Sequence, residues 1–439
     1  MKKQFTLLDM SGYQWLVLLA AWLGWGFDVF DSLLFNYVSG NCVPTLLGLK
    51  LGSPEANAAV PVWTGIVTSL LLVGWGLGGI LFGRYADKIG RTRTLMFTML
   101  LYSVGTAACA ASQNIWMLMA FRFVASLGIG GEWAAGASMV AEVVPEKRRV
   151  EAGALLYTAA PLGLFLATFI TYRIQNIYFV GNPESSWRYV FMFGLLPAAI
   201  ALIVRAFVKE PERWKETSGA ATHPRIRELF TPELRRLTFS GLAMAVVALL
   251  TWWSCNSFLP LLGEKLAEAN GKAQGLAPAA LKALKGEWKA HISTMFNMGG
   301  LIGTLATIPF ANRIGRKPMF GCYYLLAAIS IFVTFFFDFP PEYRMAGAFV
   351  IGLTVFGVFG SFTYYLPELF PTRLRATGAG FCYNTGRFVT AGGPFLVGLI
   401  AKGGLQSLLM ALSCVAIFPA IGVLAMPLVI ETKGSDLSD

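Results

Sequence analysis

Gly83-Arg84-Tyr85-Ala86-Asp87-Lys88-Ile89-Gly90-Arg91-Thr92-Arg93 is the stretch on which the reading of this chain turns. Five charged residues and a threonine stand in a row of eleven, between long apolar runs at 62–82 and 94–111. Polar sequence wedged between hydrocarbon-like runs reads as a tight loop at a membrane surface. The loop recurs as Phe310-Ala311-Asn312-Arg313-Ile314-Gly315-Arg316-Lys317-Pro318, at an offset of 313 − 88 = 225 residues. A second pair keeps the register: Glu142 to Pro145 with Arg149 is answered by Glu368 to Pro371 with Arg375, at 368 − 142 = 226. The chain of 439 residues is a duplicated half.

Composition agrees. Only 13% of residues are charged and 56% are hydrophobic, with a mean hydropathy of +0.60. A soluble domain carries about a quarter charged residues, so this chain is an integral membrane protein. The net charge of +11 does not point to nucleic acid, because the basic residues are dispersed between apolar runs as topology signals. Six scattered cysteines and two histidines, His223 and His291, give no disulfide framework and no metal cluster, and no cofactor is expected.

Apolar runs near the twenty residues that a bilayer requires fall at 15–39, 62–82, 94–112, 115–141, 151–173 and 188–208. They are spans one to six. Spans seven to twelve follow at 237–262, 290–311, 318–337, 344–366, 376–401 and 404–430. The first run is too long for a signal peptide and carries Asp28 and Asp31, so it is read as a retained span. The expected organisation is a six-helix bundle over 1–208, a cytoplasmic linker over 209–236 and a second bundle over 237–439. With the N-terminus inside, fifteen Lys and Arg lie in the cytoplasmic segments and eight more in the linker and at Arg205 just before it, against about ten outside. Both termini are therefore expected in the cytoplasm. The outer segment 263–289, with charges of both signs, is expected to form a short external helix.

Several motifs, in order and on the expected side, resemble the major facilitator superfamily. Gly83, Asp87, Lys88, Gly90 and Arg91 are similar to its signature loop between spans two and three. Pro211-Glu212-Arg213-Trp214 and Glu431-Thr432-Lys433-Gly434 resemble the ends of the two halves in its sugar-porter and metabolite/proton symporter branches. Arg122 to Trp133, running on to Glu142, resembles their fourth span. The resemblance implies an all-α protein of twelve transmembrane helices in two six-helix bundles, which rock about a central cavity. Physics permits the same mechanism, since duplicated halves can exchange two arrangements around a fixed midplane site. The resemblance also implies that Gly83, Asp87, Arg91, Glu142, Arg149, Asn312, Arg316, Glu368 and Arg375 form an inner gate. The second half departs from the pattern, with Asn312 in place of Asp87 and Ile308 in place of Gly83, and is expected to latch more weakly.

Charges within spans cost at least a few kcal/mol, so they are paired or functional. Asp28 and Asp31 share a helix face, and their repulsion favours one of them holding a proton. Gly26-Phe27-Asp28 resembles the Gly-aromatic-Asp triplet of the proton symporters, whose acid pairs with the arginine of span four. Asp28 is thus the first choice for proton carrier, with Arg122 as partner and Asp31 second; a static ion pair is the alternative, and Arg122 is also a candidate substrate ligand. Glu132 is either a further proton site or a structural partner. Arg387, near mid-bilayer with Asn384 one turn before it, either binds the substrate's carboxylate or pairs across the bundles with Asp28, Asp31 or Glu132. Trp252, Trp253, Asn256, Phe362, Tyr364 and Tyr365 are expected in the cavity wall.

The expected function is proton-coupled uptake of a small organic anion, a carboxylate, by a monomeric inner-membrane symporter of bacterial type. A sugar or polyol symporter is the alternative. An organic-cation or drug exporter and a non-transporting receptor come third. An enzyme is not expected, since no nucleotide loop, metal cluster or catalytic triad is visible in the sequence.

Overall fold

The computed structural model describes residues 10–51, 53–179, 181–195, 199, 202–203, 206–212, 214–215, 225–392 and 405–434. The middle of the linker with His223, the end of span six and the end of span eleven lie outside the described residues. Among the described residues every regular element is helical. Among those same residues, eight helices are long and apolar enough to cross a bilayer by length and composition.

Local chemistry sets the helix ends. Span one (Gly12–Leu47) starts at Ser11, whose side chain accepts from the Gln14 amide while Gln14 reaches back to the Ser11 amide. Span two (Pro54–Ile89) is capped by Ser53 with proline in its first turn, and span four (Ile115–Val143) by Asn114. Span three (Arg91–Ala110) follows span two across a single residue, Gly90, at φ 116°. Gly315 makes the same break between span eight (Pro278–Ile314) and span nine (Arg316–Phe336) at φ 98°. In that backbone region only glycine is comfortable. The carboxylate of Glu210 then accepts the amides of Thr92 and Arg93, both at 3.1 Å. Glu431 accepts those of Arg316 and Lys317 at 2.9 and 3.1 Å. An acid at the end of each half thus caps an early helix of the same half, where the exposed amides favour a negative charge.

Span five runs as Arg149–Tyr157 and Ala159–Arg173, and span six begins at Pro183–Phe193. Span seven (Arg235–Ala273) has 39 residues and span eight 37, about 55–60 Å each at 1.5 Å per residue. A bilayer core is about 30 Å thick. Both helices therefore run on outside it and meet at a turn through Gly275. The expected external helix is this pair of extensions. Glu268 ties it together, bonded to Lys272 at 2.6 Å and Lys285 at 2.9 Å. Those two ammonium groups hold the Glu268 carboxyl down to about 2.

Span ten is Pro341–Ile351 and Phe359–Glu368, joined through the wide turn Gly352–Phe356. Span eleven is described over Arg375–Thr390 and span twelve over Leu405–Cys414 and Ile417–Leu424. Spans two and eleven meet closely. A Cβ on Gly79 would stand 2.0 Å from the Asn384 amide nitrogen, and one on Gly83 2.7 Å from the Ala376 carbonyl oxygen. Small residues permit this approach of two backbones. One repeat further on, Thr304 and Ile308 occupy those positions in span eight.

Candidate functional site

A small cavity lies between the two halves. The first half contributes Trp25, Ser32, Trp75 and Tyr157 to its wall, the second Trp252, Trp253, Phe356, Phe359, Tyr383 and Arg387. The rings form a continuous box. Trp25 sits 6.5 Å from Trp75 and 6.0 Å from Tyr157, Tyr157 lies 6.0 Å from Phe359, and Trp252 lies 5.6 Å from Phe356.

Arg387 is the cation of the box. It is 2% exposed, and its guanidinium carbon lies 3.6 Å from the Trp75 ring centroid and 5.0 Å from that of Tyr383. A guanidinium over an aromatic face is attracted by the ring's quadrupole, more strongly when water is excluded. Asp28, fully buried in span one, is near enough to act on the Arg387 charge across the two halves. Among the described residues the Nε of Arg387 has no hydrogen-bond partner. The indole N–H groups of Trp25, Trp75 and Trp252 have none either. All four atoms are donors only. The box therefore presents four buried donors that call for acceptors.

Arg122 lies in the first half, fully buried. It donates to the Ser32 carbonyl at 2.8 Å and the Asp31 carbonyl at 3.4 Å. Its guanidinium stands 3.9 Å from the Asp31 carboxylate, whose other oxygen accepts from Thr106 at 2.5 Å. The acid that Arg122 meets is Asp31, where the sequence had put Asp28 first. The reason is helical phase: Asp31 turns toward Thr106 of span three and Arg122 of span four.

The residues expected to form the inner gate make a second centre, on the face where the linker and the ends of the two halves lie. Asp87 accepts the Ala376 amide at 3.2 Å and the Thr377 amide and hydroxyl at 2.6 Å each. A carboxylate from span two thus caps the first turn of span eleven in the other half. Arg91 stands 2.5 Å from Asp87 and 2.8 Å from Glu142, and donates to the Thr372 carbonyl at 3.0 Å. Glu142 also takes Arg375 of the other half at 3.1 Å. The repeat mirrors this: Glu368 holds Arg316 of its own half at 2.9 Å and Arg149 of the other at 3.6 Å. Asn312, at the position of Asp87, donates to Glu151 at 3.2 Å on the exposed edge. These contacts close the face.

Three comparisons place this geometry among known proteins. Residues 16–284 match the model of the Major Facilitator Superfamily, and residues 264–438 that of sugar (and other) transporters. The chain belongs to the major facilitator superfamily. A Haemophilus influenzae protein named as a metabolite transport protein is 30% identical, with 98% of this chain and 99% of that protein covered. The Escherichia coli sialic acid transporter NanX is 27% identical over 88% of this chain and 86% of its own. Among solved structures the proton:xylose symporter XylE superposes with a TM-score of 0.76 at 16% identity, over 97% of this chain and 98% of its own, a likeness of fold. The protein is accordingly a multi-pass membrane transporter with the twelve-helix fold of the superfamily in two six-helix bundles.

Within that fold the expected wall residues divide. Trp252, Trp253 and Arg387 line the cavity. Asn384 packs on Gly79 and donates to the Gly380 carbonyl at 2.9 Å, in the seam between spans two and eleven. Asn256 is half-buried beyond the lining. Tyr365 bonds Ser240 at 2.8 Å and the Ile430 carbonyl at 3.1 Å, and Tyr364 reaches the Met319 sulfur at 3.4 Å. Both tyrosines serve packing toward the closed face. The wide turn Gly352–Phe356 explains the change, because an extra residue per turn rotates the helix and brings Phe356 and Phe359 inward. Trp25, Trp75, Tyr157 and Tyr383 were not expected, although an aromatic three before Asp28 and another four before Arg387 were visible in the sequence. Glu132 is buried in span four and is not among the residues that line the cavity.

Proposed function

We propose that the protein carries a small organic anion, bound by its carboxylate, together with protons across a bacterial inner membrane. The observation that carries this reading is the set of four partnerless donors in the aromatic cavity, with Arg387 at their centre. A carboxylate is an acceptor only, and a guanidinium can grip it at two points. The aromatic walls suit an unsaturated or aromatic body. A sugar matches the site less well. Its hydroxyls donate as well as accept, and the wall is built of rings with Ser32 as its one aliphatic hydroxyl.

Coupling then follows from Asp28. While ionised, it competes with the substrate for Arg387; once protonated, it leaves the guanidinium to the carboxylate. Anion and proton therefore bind best together. Asp31 and Arg122 form a second acid–base couple in the same half, and Glu132, outside the cavity lining, is a supporting group. The closed face is the cytoplasmic one by the placement of its Lys and Arg residues, so the residues Asp87 to Arg375 act as the inner gate. The two bundles, 1–208 and 237–439, rock about the cavity with 209–236 as their link, and a single chain suffices.

The test uses purified protein in liposomes with labelled sialic acid and 4-hydroxybenzoate as probes. Wild type should accumulate at least one of them when the medium is acidic relative to the lumen. Asp28→Asn should lose that accumulation yet retain exchange of labelled for unlabelled substrate. Full gradient-driven accumulation by Asp28→Asn would overturn the coupling.

A further inference from the structure

Trp75 in span two and Arg387 in span eleven face each other across the seam that joins the two halves. The seam is tight beside them. A Cβ on Gly76 would stand 3.1 Å from the Phe388 ring and 3.2 Å from the Asn384 carbonyl oxygen. Further along span two, at 87 − 75 = 12 residues from Trp75, Asp87 caps the first turn of span eleven. Two helices held this closely bring the indole of one half against the cation of the other. The guanidinium carbon of Arg387 lies over the Trp75 ring, 3.6 Å from its centroid, which is van der Waals contact with nothing between.

Other buried arginines are answered by carboxylates. Arg91 and Arg375 share Glu142, and Arg316 is held by Glu368 at 2.9 Å. Such a partner spends the N–H groups of the guanidinium on its own oxygens. Arg387 is held differently. Its Nε has no hydrogen-bond partner among the described residues, and ring faces lie against its charge. Tyr383, one turn earlier on the same helix, stands 5.0 Å away, and Trp133 of span four stacks on Tyr383 at 4.0 Å and 15°. Trp133, Tyr383, Arg387 and Trp75 thus form one series from span four through span eleven to span two. A ring face attracts a cation through its quadrupole and offers it no acceptor atom. The donors of a guanidinium point outward in its own plane, so a ring over that plane steadies the charge and leaves the edge free.

We propose that Trp75 is the positioning residue of the carboxylate site. Its ring holds the Arg387 guanidinium in one orientation, in the place an acid takes at the other arginines, and keeps the N–H edge open for the substrate. A fork held ready grips a carboxylate without first being ordered, which is where pre-organisation gains affinity. This rests on the reading of Arg387 as a carboxylate site and adds the group that prepares it. The role of the tryptophan therefore shows in the preference for a charged over a neutral ligand, and not in affinity as such.

The test is equilibrium binding of 4-hydroxybenzoate and its neutral amide to purified full-length protein, with the acid-to-amide affinity ratio as readout. Trp75→Leu should cut that ratio about fivefold or more, because it removes the ring face. Trp75→Phe, which keeps a face but loses the indole N–H, should retain most of it. Tetrafluorotryptophan at position 75, introduced by nonsense suppression, keeps the size and the N–H but drains the negative face, and should lower the ratio as Trp75→Leu does. In Arg387→Gln, adding Trp75→Leu should change the ratio no further. A tryptophan that only packs would weaken acid and amide alike. An unchanged ratio in Trp75→Leu or with the fluorinated ring, where Arg387→Gln abolishes the preference, overturns the positioning role. An equal loss in Trp75→Phe and Trp75→Leu overturns it too, because the N–H and not the face would then matter. If Trp75→Leu shows no cooperative thermal transition, the fluorinated ring decides, since it leaves the shape nearly unaltered. An acid preference intact in Arg387→Gln would instead remove the underlying carboxylate site.

Discussion

The loops at Gly83–Arg93 and Phe310–Pro318 descend from one pattern, yet they hold their halves differently. Both keep the glycine break at positive φ, the acid that caps the next helix, and an arginine clamped by a glutamate that also reaches across to the other half. They part at one residue. Asp87 is buried and caps span eleven with three hydrogen bonds, whereas Asn312 makes a single bond to Glu151 at the exposed edge. The helices behind them part in the same sense: Gly79 and Gly83 lie against span eleven, and their counterparts one repeat on are Thr304 and Ile308. Duplication thus conserved the clamps and let one seam become tight. The seam of spans two and eleven reads as the locked side of the closed face, and the loop of Asn312 as the side that can slide.

Making the first loop resemble the second should have the largest effect. Asp87→Asn removes a buried charge that Arg91 and the first turn of span eleven share. Breaking a buried ion pair costs about 3 kcal/mol or more, about a hundredfold in population. Spin labels at Lys147 and Arg313 should report a longer separation in this variant, and an unchanged distance distribution would erase the contrast. Next come Gly90→Ala and Gly315→Ala, which probe what the loops share. Each forces a side chain into a backbone region that costs about 2 kcal/mol, with its Cβ toward Glu210 or Glu431. The two should lower the thermal midpoint by similar amounts; a large inequality would mean that the glycine breaks are not equivalent.

Asn312→Asp should matter less. It sets a carboxylate against Glu151 at an exposed edge, where such interactions are worth below about 1 kcal/mol. Its spin-label distances should shift slightly toward separation, and tightening would contradict the sliding role. The smallest effect concerns Arg373, which pairs with Glu228 of the linker. Its counterpart one repeat earlier, Arg148, pairs at 3.5 Å with Glu151, three residues on in its own half. The hydrogen bond from Arg373 holds the Glu228 carboxyl below its ordinary value of 4.5. A depressed acid stabilises the fold above its ordinary value, and this contribution disappears as the pH falls through the lowered one. The difference in thermal midpoint between wild type and Arg373→Gln should thus be constant from pH 7 to about 5 and shrink below about 4.5.

The fold was legible because a bilayer imposes simple rules. Length of apolar runs, the 225-residue repeat and the Lys and Arg placement needed no side-chain geometry. The site was legible where one residue type forces one chemistry, as with Arg387, Arg122 and the two aspartates in span one. It was obscured where phase matters. Asp28 and Asp31 are three residues apart, and sequence could not say which one faces which arginine. In span ten the wide turn at Gly352 rotates Phe356 and Phe359 into the cavity and Tyr364 and Tyr365 out of it. The aromatic box is similarly hidden, since Trp25, Trp75, Tyr157 and Tyr383 meet from four different spans.

The central claim is that Arg387 grips a carboxylate. The most direct measurement compares the binding of 4-hydroxybenzoate and its neutral amide, 4-hydroxybenzamide, to wild type and Arg387→Gln. The account predicts at least tenfold preference for the acid in wild type and none in the variant. Undiminished preference for the acid in Arg387→Gln would contradict it.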